Sequence, residues 1–258
     1  MTTRFKIFLL ISFLFCGAVT PSAFAQDLDG TRALAEQGDA KAQLELGTAY
    51  DYGVGVPEND GEALKWYRLA AAQDYADAQL SLGFMYEFGS GVPKDDVEAV
   101  RWYRKAAEQG HAIAQSSLGV KYTEGSGVVK DDAKAVIRYR KAAEQGHAQA
   151  QHDLGFSYAK GDGVPEDDVE AMKWFRLAAE AGHAGAQYKF GESFANGTGV
   201  KQNLILSYQW LTVSATQLNS DAFKALKIVS KLMTPDQIKE AQDITLKCYE
   251  NKYKGCEM

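Results

Sequence analysis

Ala42-Gln43-Leu44-Glu45-Leu46-Gly47-Thr48-Ala49-Tyr50 sets the frame of this chain, because its pattern returns every 36 residues. Gly47 is followed in step by Gly83, Gly119, Gly155 and Gly191, and Gln43 by Gln79, Gln115, Gln151 and Gln187. The aromatic Tyr50 is followed by Tyr86, Tyr122, Tyr158 and Phe194. Later in the unit Trp66, Trp102, Trp174 and Trp210 keep the same step, with Arg138 in the missing phase. A fixed period of this length signals a stacked array, in which each unit buries its apolar face on its neighbours. Five units follow from it, at 40–75, 76–111, 112–147, 148–183 and 184–219.

Each unit reads as two helices. Ala42, Leu46, Ala49, Tyr50 and Gly53 fall at helical spacing and mark one buried stripe. Gly53-Val54-Gly55-Val56-Pro57 interrupts it, the glycines supplying positive φ at the helix end and in the loop. Asn59 with Glu62, Asp95 with Glu98 and Asp167 with Glu170 have the spacing of capping boxes that open the second helix. Along it Ala63, Trp66, Tyr67, Ala70 and Ala71 form one face. Gly110, Gly146 and Gly182 then turn the chain into the next copy. Residues 28 to 37 read as a lone helix covering the first repeat. A helix from about 221 to 231 and another ending near Cys248, begun by Thr234-Pro235, cover the last.

The N-terminus points to export. Arg4 and Lys6 precede an apolar run from Ile7 to Phe15, and Ala23-Phe24-Ala25 has the small-x-small pattern of a signal-peptidase site. This reads as a signal peptide over 1–25, cleaved after Ala25 to leave Gln26 first. The alternatives are a membrane anchor, for which the run is short of the roughly 20 residues needed, and a lipoprotein at Cys16, which bulky Phe15 disfavours. The expected location is the periplasm or the exterior, with no stable membrane anchor after cleavage. The net charge of −6 is spread along the chain, without the basic cluster that nucleic-acid binding needs. Cys248 and Cys256 are an even pair, which in an exported protein points to a disulfide, two free thiols being the alternative. The short loop so closed would stabilise the fold by about 2–3 kcal/mol. The reading divides the chain into 1–25 signal, 26–39 N-terminal cap, 40–219 repeats, and 220–258 C-terminal cap with a closed tail.

The stretch from Ala42 to Tyr50 with Gly53-x-Gly55-Val56, then Ala63-Leu64-Lys65-Trp66-Tyr67-x-x-Ala70-Ala71, resembles the Sel-one-like repeat (SLR). That is a relative of the tetratricopeptide repeat with a longer unit, and the resemblance covers nearly all of the mature chain. The tail from Cys248 through Tyr253-Lys254-Gly255-Cys256 is similar to endings of bacterial members. The resemblance implies an all-α fold: a right-handed α/α superhelical solenoid of five 36-residue helix-turn-helix repeats with terminal capping helices. The first helix of each pair would line the concave side. It also implies an adaptor for protein complexes, acting in the envelope or at host contact.

Three motifs invite a chemical reading. The glycine loops are not followed by Gly-Lys-Ser/Thr, as a nucleotide loop requires, and they recur in register as structural turns do. His111, His147 and His183 share the phase of Asp39, Tyr75 and Asn219. Equivalent positions of stacked helices lie about 8–10 Å apart, too far for ligands about 2 Å from one zinc ion, so these histidines are expected at the turn into the next helix. Ser157-Tyr158-Ala159-Lys160 matches Ser-x-x-Lys of β-lactam-interacting enzymes, but its partners Ser-Asp-Asn and Lys-Thr-Gly are missing. No catalytic residue, cofactor or metal is expected.

Function is then expected on a surface that packing does not use. The face opposite the buried stripe carries the phases of Lys41, Leu44, Thr48 and Tyr52, which vary between copies. Its large members, Leu44, Tyr52, Leu80, Phe84, Phe88, Val120, His152, Phe156 and Tyr188, are the candidate partner-binding residues. The expected ligand is a protein or peptide, with a cell-wall glycan such as peptidoglycan as the alternative and a β-lactam-interacting hydrolase behind it. The competing reading of the Phe84 and Phe156 phase is helix packing.

Overall fold

The structure is a computed structural model that describes residues 28–250 and 252–253. The expected signal peptide and Cys256 lie outside the described residues. Those described form thirteen α-helices and one short 3-10 turn. Helix α1 (Leu28–Glu36) precedes five pairs: α2 (Ala40–Tyr52) with α3 (Asp60–Ala71), α4 (Ala76–Phe88) with α5 (Asp96–Glu108), and α6 (Ala112–Glu124) with α7 (Asp132–Glu144). The last two are α8 (Ala148–Lys160) with α9 (Asp168–Glu180), and α10 (Ala184–Asn196) with α11 (Leu204–Thr216). Then come α12 (Ser220–Val229), the 3-10 turn Ser230–Leu232 and α13 (Pro235–Glu250). The chain divides into two compact units: one runs to Ala114 and takes in Ser126–Val129, the other holds Gln115–Gly125 and everything from Lys130.

The invariant helix glycine has a steric cause. A Cβ on Gly47 would lie 2.7 Å from the ring of Tyr67, under any van der Waals contact, so α3 can cross α2 only over a bare backbone. Gly155 meets Phe175 in the same way at 2.8 Å. The loop glycines do two jobs. Gly53, in the left-handed region at φ 67°, caps α2 by donating its N–H to the Ala49 carbonyl. Two residues later in the unit, a Cβ on Gly91 would sit 2.7 Å from the Asp60 carbonyl oxygen, so the loop backbone lies directly on the start of the preceding repeat's second helix.

The caps follow from the same phases. Asn59, Asp95, Asp131, Asp167 and Asn203 each accept backbone N–H bonds at the start of a second helix. At the start of first helices Asp39, His147, His183 and Asn219 do so, whereas Tyr75 makes no side-chain cap. Gly110, Gly146 and Gly182 take positive φ just before these caps, and at the equivalent positions so do Asp74 and Leu218, at φ 58° and 64°.

A glutamine ladder ties each helix pair to itself. Gln43, Gln151 and Gln187 donate to the carbonyls of Ala35, Ala143 and Ala179 in the preceding helix. Their phase also accepts from a second glutamine 30 residues on: Gln73 to Gln43 at 2.9 Å, Gln109 to Gln79 and Gln145 to Gln115 at 2.8 Å, and Gln217 to Gln187 at 2.7 Å. The fourth copy has Ala181 where the donor should be, and the buried Oε1 of Gln151 has no hydrogen-bond partner.

Within the first unit Leu44 packs with Leu64, Tyr67, Leu82 and Met85 of α3 and α4. In the second, Met172, Phe175, Phe190, Phe194 and Trp210 form a core that also takes in Cys248 of α13, with Tyr249 and Tyr253 against it. Phe190 meets Phe194 and Trp210 edge-on at 4.9 and 5.3 Å, the geometry aromatic pairs prefer.

Candidate functional site

The candidate face is treated unit by unit. In the first, Leu44 is 8 % and Leu80 2 % exposed. Both are core residues, which corrects their expected place on an open face. For Leu44 the reason is that it shares one core cluster with its own partner helix α3 and with Leu82 and Met85 of α4, so the apolar stripe of α2 is wider than one contact requires. Tyr52 is half-buried. Phe84 is also half-buried, edge-on to Tyr103 at 5.5 Å and stacked on Phe88 at 6.2 Å. Its ring therefore serves packing at least in part, and Phe88, 46 % exposed, is the aromatic of this set most open to a ligand.

In the second unit Val120, His152, Phe156 and Tyr188 are all half-buried. Phe156 of α8 separates two cavities. One, of about 220 Å³, is lined by Tyr139, His152, Asp153 and Phe156 with Asp132 and Asp162. The other, of about 230 Å³, is lined by Phe156, Lys160, Phe175, Lys189, Glu192 and Asn196 among others. The ammonium groups of Lys160 and Lys189 lie 4.8 and 5.7 Å from the centre of the Phe156 ring, within reach of its negative face. Lys189 also pairs with Glu192 at 2.8 Å, and Glu192 accepts from the Tyr188 hydroxyl at 2.6 Å. Burial, and then that carboxylate, hold the Tyr188 phenol well above its usual range.

Tyr139 reports the field beside the first cavity. Burial pushes its phenol up to about 12; the Thr123 bond opposes this, and the charges of Asp153, Glu124 and Asp132 add to it. His152 places its Nδ1 3.0 Å from the Asp153 carboxylate and its ring 4.6 Å from that of His183. His183 accepts the Ala186 N–H at Nδ1 and faces the Gln149 side-chain oxygen at Nε2, which fixes the neutral tautomer with hydrogen on Nε2. Burial first, and His152 next, lower its pKa to about 4.

The other motifs resolve as structure. Ser157 donates its hydroxyl to the Asp153 carbonyl one turn back, at 3.0 Å. His111 bonds Asp77 at 3.0 Å, and His147 and His183 cap helices. Among the described residues no group of three His, Cys, Asp or Glu could hold a metal ion, and no helix is long and apolar enough to cross a membrane. A larger open cleft of about 640 Å³, between α9 and the loop bearing Gly199 to Asn203, is lined by Lys173, Arg176 and Phe194. Its lining draws on α9, on Phe190 and Phe194 of α10 and on the loop, so no single helix's periodicity marks it.

The Sel1 repeat family matches at 40–75, 76–111, 112–147, 148–183 and 184–217. A Sel1 repeat protein from Oxalobacter formigenes is similar in structure, with TM-score 0.76 and 35 % identity, covering 87 % of this chain and 92 % of that one. A protective antigen of uropathogenic Escherichia coli displaying an SLR fold has TM-score 0.59 and 30 % identity over 89 % of this chain, which spans 57 % of that protein. A Sel1 repeat protein from Klebsiella pneumoniae has TM-score 0.50 and 26 % identity, over 79 % of this chain and 99 % of that one. Comparison with curated proteins finds no match. The repeat phases, the helix pairs they build and these likenesses together make the chain a member of the Sel1 repeat family.

Proposed function

We propose that this protein is an exported interaction scaffold that holds a peptide segment of a partner protein across the first-helix face around Phe156. Sel1-repeat proteins are generally protein-interaction scaffolds and typically non-catalytic. The observation that carries the finer reading is the half-buried Phe156 ring with a cavity on each side, one acidic through Asp132, Asp153 and Asp162, the other of mixed charge with Lys160 and Lys189 beside Asp168 and Glu192. Each cavity is below the roughly 300–1,000 Å³ of a small-molecule site. That size suits successive side chains of an extended peptide, with the aromatic ridge between them as anchor.

Export rests on the N-terminal sequence, and an envelope or host-facing role on that together with the description of the uropathogen protein as a protective antigen. A Cys248–Cys256 disulfide belongs to the same reading. A mature mass beginning at Gln26, lowered by two hydrogens until reductant is added, supports both.

A photo-crosslinking residue at Lys160, compared with one at exposed Lys173 on α9, tests the site in an envelope extract. The expected result is a discrete protein adduct from position 160 that Phe156→Ala abolishes, and none from 173. Equal labelling from both positions, or adducts indifferent to Phe156, counts against it.

A further inference from the structure

Terminal units of a repeat array ordinarily close it with a polar outer face. The C-terminal cap of this protein departs from that rule. Between Ala222 and Pro235 the sequence holds Lys224, Lys227 and Lys231 and no Asp or Glu, in a chain of net charge −6. Helix α12 turns Ala222 and Val229 inward, where both are buried. Outward it presents the three lysines, all exposed, interleaved with Phe223, Ile228 and Leu232, which are 51 %, 64 % and 65 % exposed. The spacings of three and four residues keep 223, 224, 227, 228 and 231 on one half of the helix and its following turn. Lys224 pairs with Asp221 at 2.9 Å, but both side chains are largely exposed, so the pair leaves the ammonium available to another anion.

We infer that this outer face of α12 and the 3-10 turn is a docking surface for an anionic lipid bilayer. The partner has to meet two demands in one plane, many anionic oxygens for flexible ammonium groups and apolar volume for short side chains between them. A headgroup layer above hydrocarbon meets both. The face is a convex helix side, and a bilayer needs no shaped recess to receive it. Phe223 and Ile228 flank the lysine row on the helix circumference, so each can enter the headgroup region while the lysines reach phosphates. None of these residues lines the cavities beside Phe156, so the inference stands apart from the peptide reading.

The test uses the chain from Gln26 onward, which carries every described helix but not the apolar leader. It is sedimented with vesicles of equal parts phosphatidylglycerol and phosphatidylcholine, and with phosphatidylcholine alone. Binding is expected on the anionic vesicles only, and it should weaken as salt rises. Each lysine near such a surface contributes about fivefold, so joint Lys224→Gln, Lys227→Gln and Lys231→Gln should lower partitioning by about a hundredfold with an unchanged melting temperature. Phe223→Ser with Ile228→Ser should weaken binding while leaving its salt dependence intact. No binding to the anionic vesicles, equal binding to both kinds, or a triple variant that binds like the wild type would overturn the inference.

Discussion

Ala181→Gln should make the protein more stable, although it adds a long polar side chain to a surface turn. Four of five repeats close the glutamine ladder with a second glutamine, at Gln73, Gln109, Gln145 and Gln217. In the remaining repeat the acceptor, Gln151 Oε1, is buried without a partner on a side chain only 6 % exposed. The backbone is already in place: Ala181 ends α9 at φ −79° and ψ 1°, while Gln109 and Gln145 end their helices at −80° and 2°, and −85° and 4°. A buried unsatisfied acceptor costs about 1–3 kcal/mol. Ordering a glutamine side chain gives back as much as about 1.5–2 kcal/mol, less where it stays exposed as the ladder donors do. The net expectation is a gain of about 1 kcal/mol, a rise of about 2–4 °C in melting temperature for a protein of this size.

Urea unfolding followed by tryptophan fluorescence measures the effect, with Gln145→Ala as the converse. That change should cost about as much, because it removes the bond that Gln145 donates to Gln115 Oε1. The decisive control is Gln151→Leu, which removes the acceptor. If Ala181→Gln still stabilises in that background, or has no effect while Gln145→Ala destabilises, the ladder argument fails.

Three other outcomes follow from the same geometry. His183 is held neutral with a pKa of about 4 against an ordinary value near 6.5, so between these the unfolded chain binds more protons and stability falls as pH drops from about 6.5 to 4. After discount for the partly exposed ring the loss is about 1–2 kcal/mol; His183→Asn should flatten it while keeping the cap, as Asn219 does for α12, and unfolding curves across that pH range check this. Gly155→Ala should destabilise by about 1–3 kcal/mol, because its Cβ would fall 2.8 Å from Phe175 and 3.2 Å from the Ala171 carbonyl; a melting temperature at or above wild type would contradict that crossing. Leu218 is 86 % exposed at φ 64°, so Leu218→Gly should stabilise by about 0.5–1 kcal/mol, the strain relieved less the added freedom of the unfolded chain, as thermal melting can read.

The helix pairs were legible because their determinants are local and repeat. Asn59 and Asp95 announce helix starts within four residues, and Gly53 announces a helix end wherever it falls. The C-terminal cap was nearly as clear: the helix expected to reach Lys231 ends at Val229 and tightens into a 3-10 turn. The candidate face is less legible. Variation at the phase of Leu44, Leu80, Ser116, His152 and Tyr188 points, in the sequence, to recognition. Yet Leu44, Leu80 and Ser116 are buried, and a core position can vary when the residues around it vary too. A single helix's periodicity shows which side is apolar; it does not show how many neighbours that side must serve. Phe156 was identifiable from its phase, but its cavities were not, because they need Tyr139, Asp162, Phe175 and Lys189 from separate elements. The Phe223–Leu232 face was visible as composition and acquires meaning only once α12 is seen to bury its other side.

The placement of Gly91 on the Asp60 carbonyl oxygen bears on how such a chain can change length. The loop contact between those successive repeats is made where main chain meets main chain, so that contact follows backbone shape, while side chains such as Leu44, Leu82 and Met85 pack the rest of the joint. Gly163 on Asp132 and Gly199 on Asp168 repeat the arrangement. A 36-residue block could therefore be duplicated in frame, or excised, and each new loop contact would still close, provided the two glycines and the apolar phases travel with the block. Copy number is then free to drift while the end caps stay fixed, and selection can lengthen or shorten the first-helix face without redesigning a core contact inside a unit.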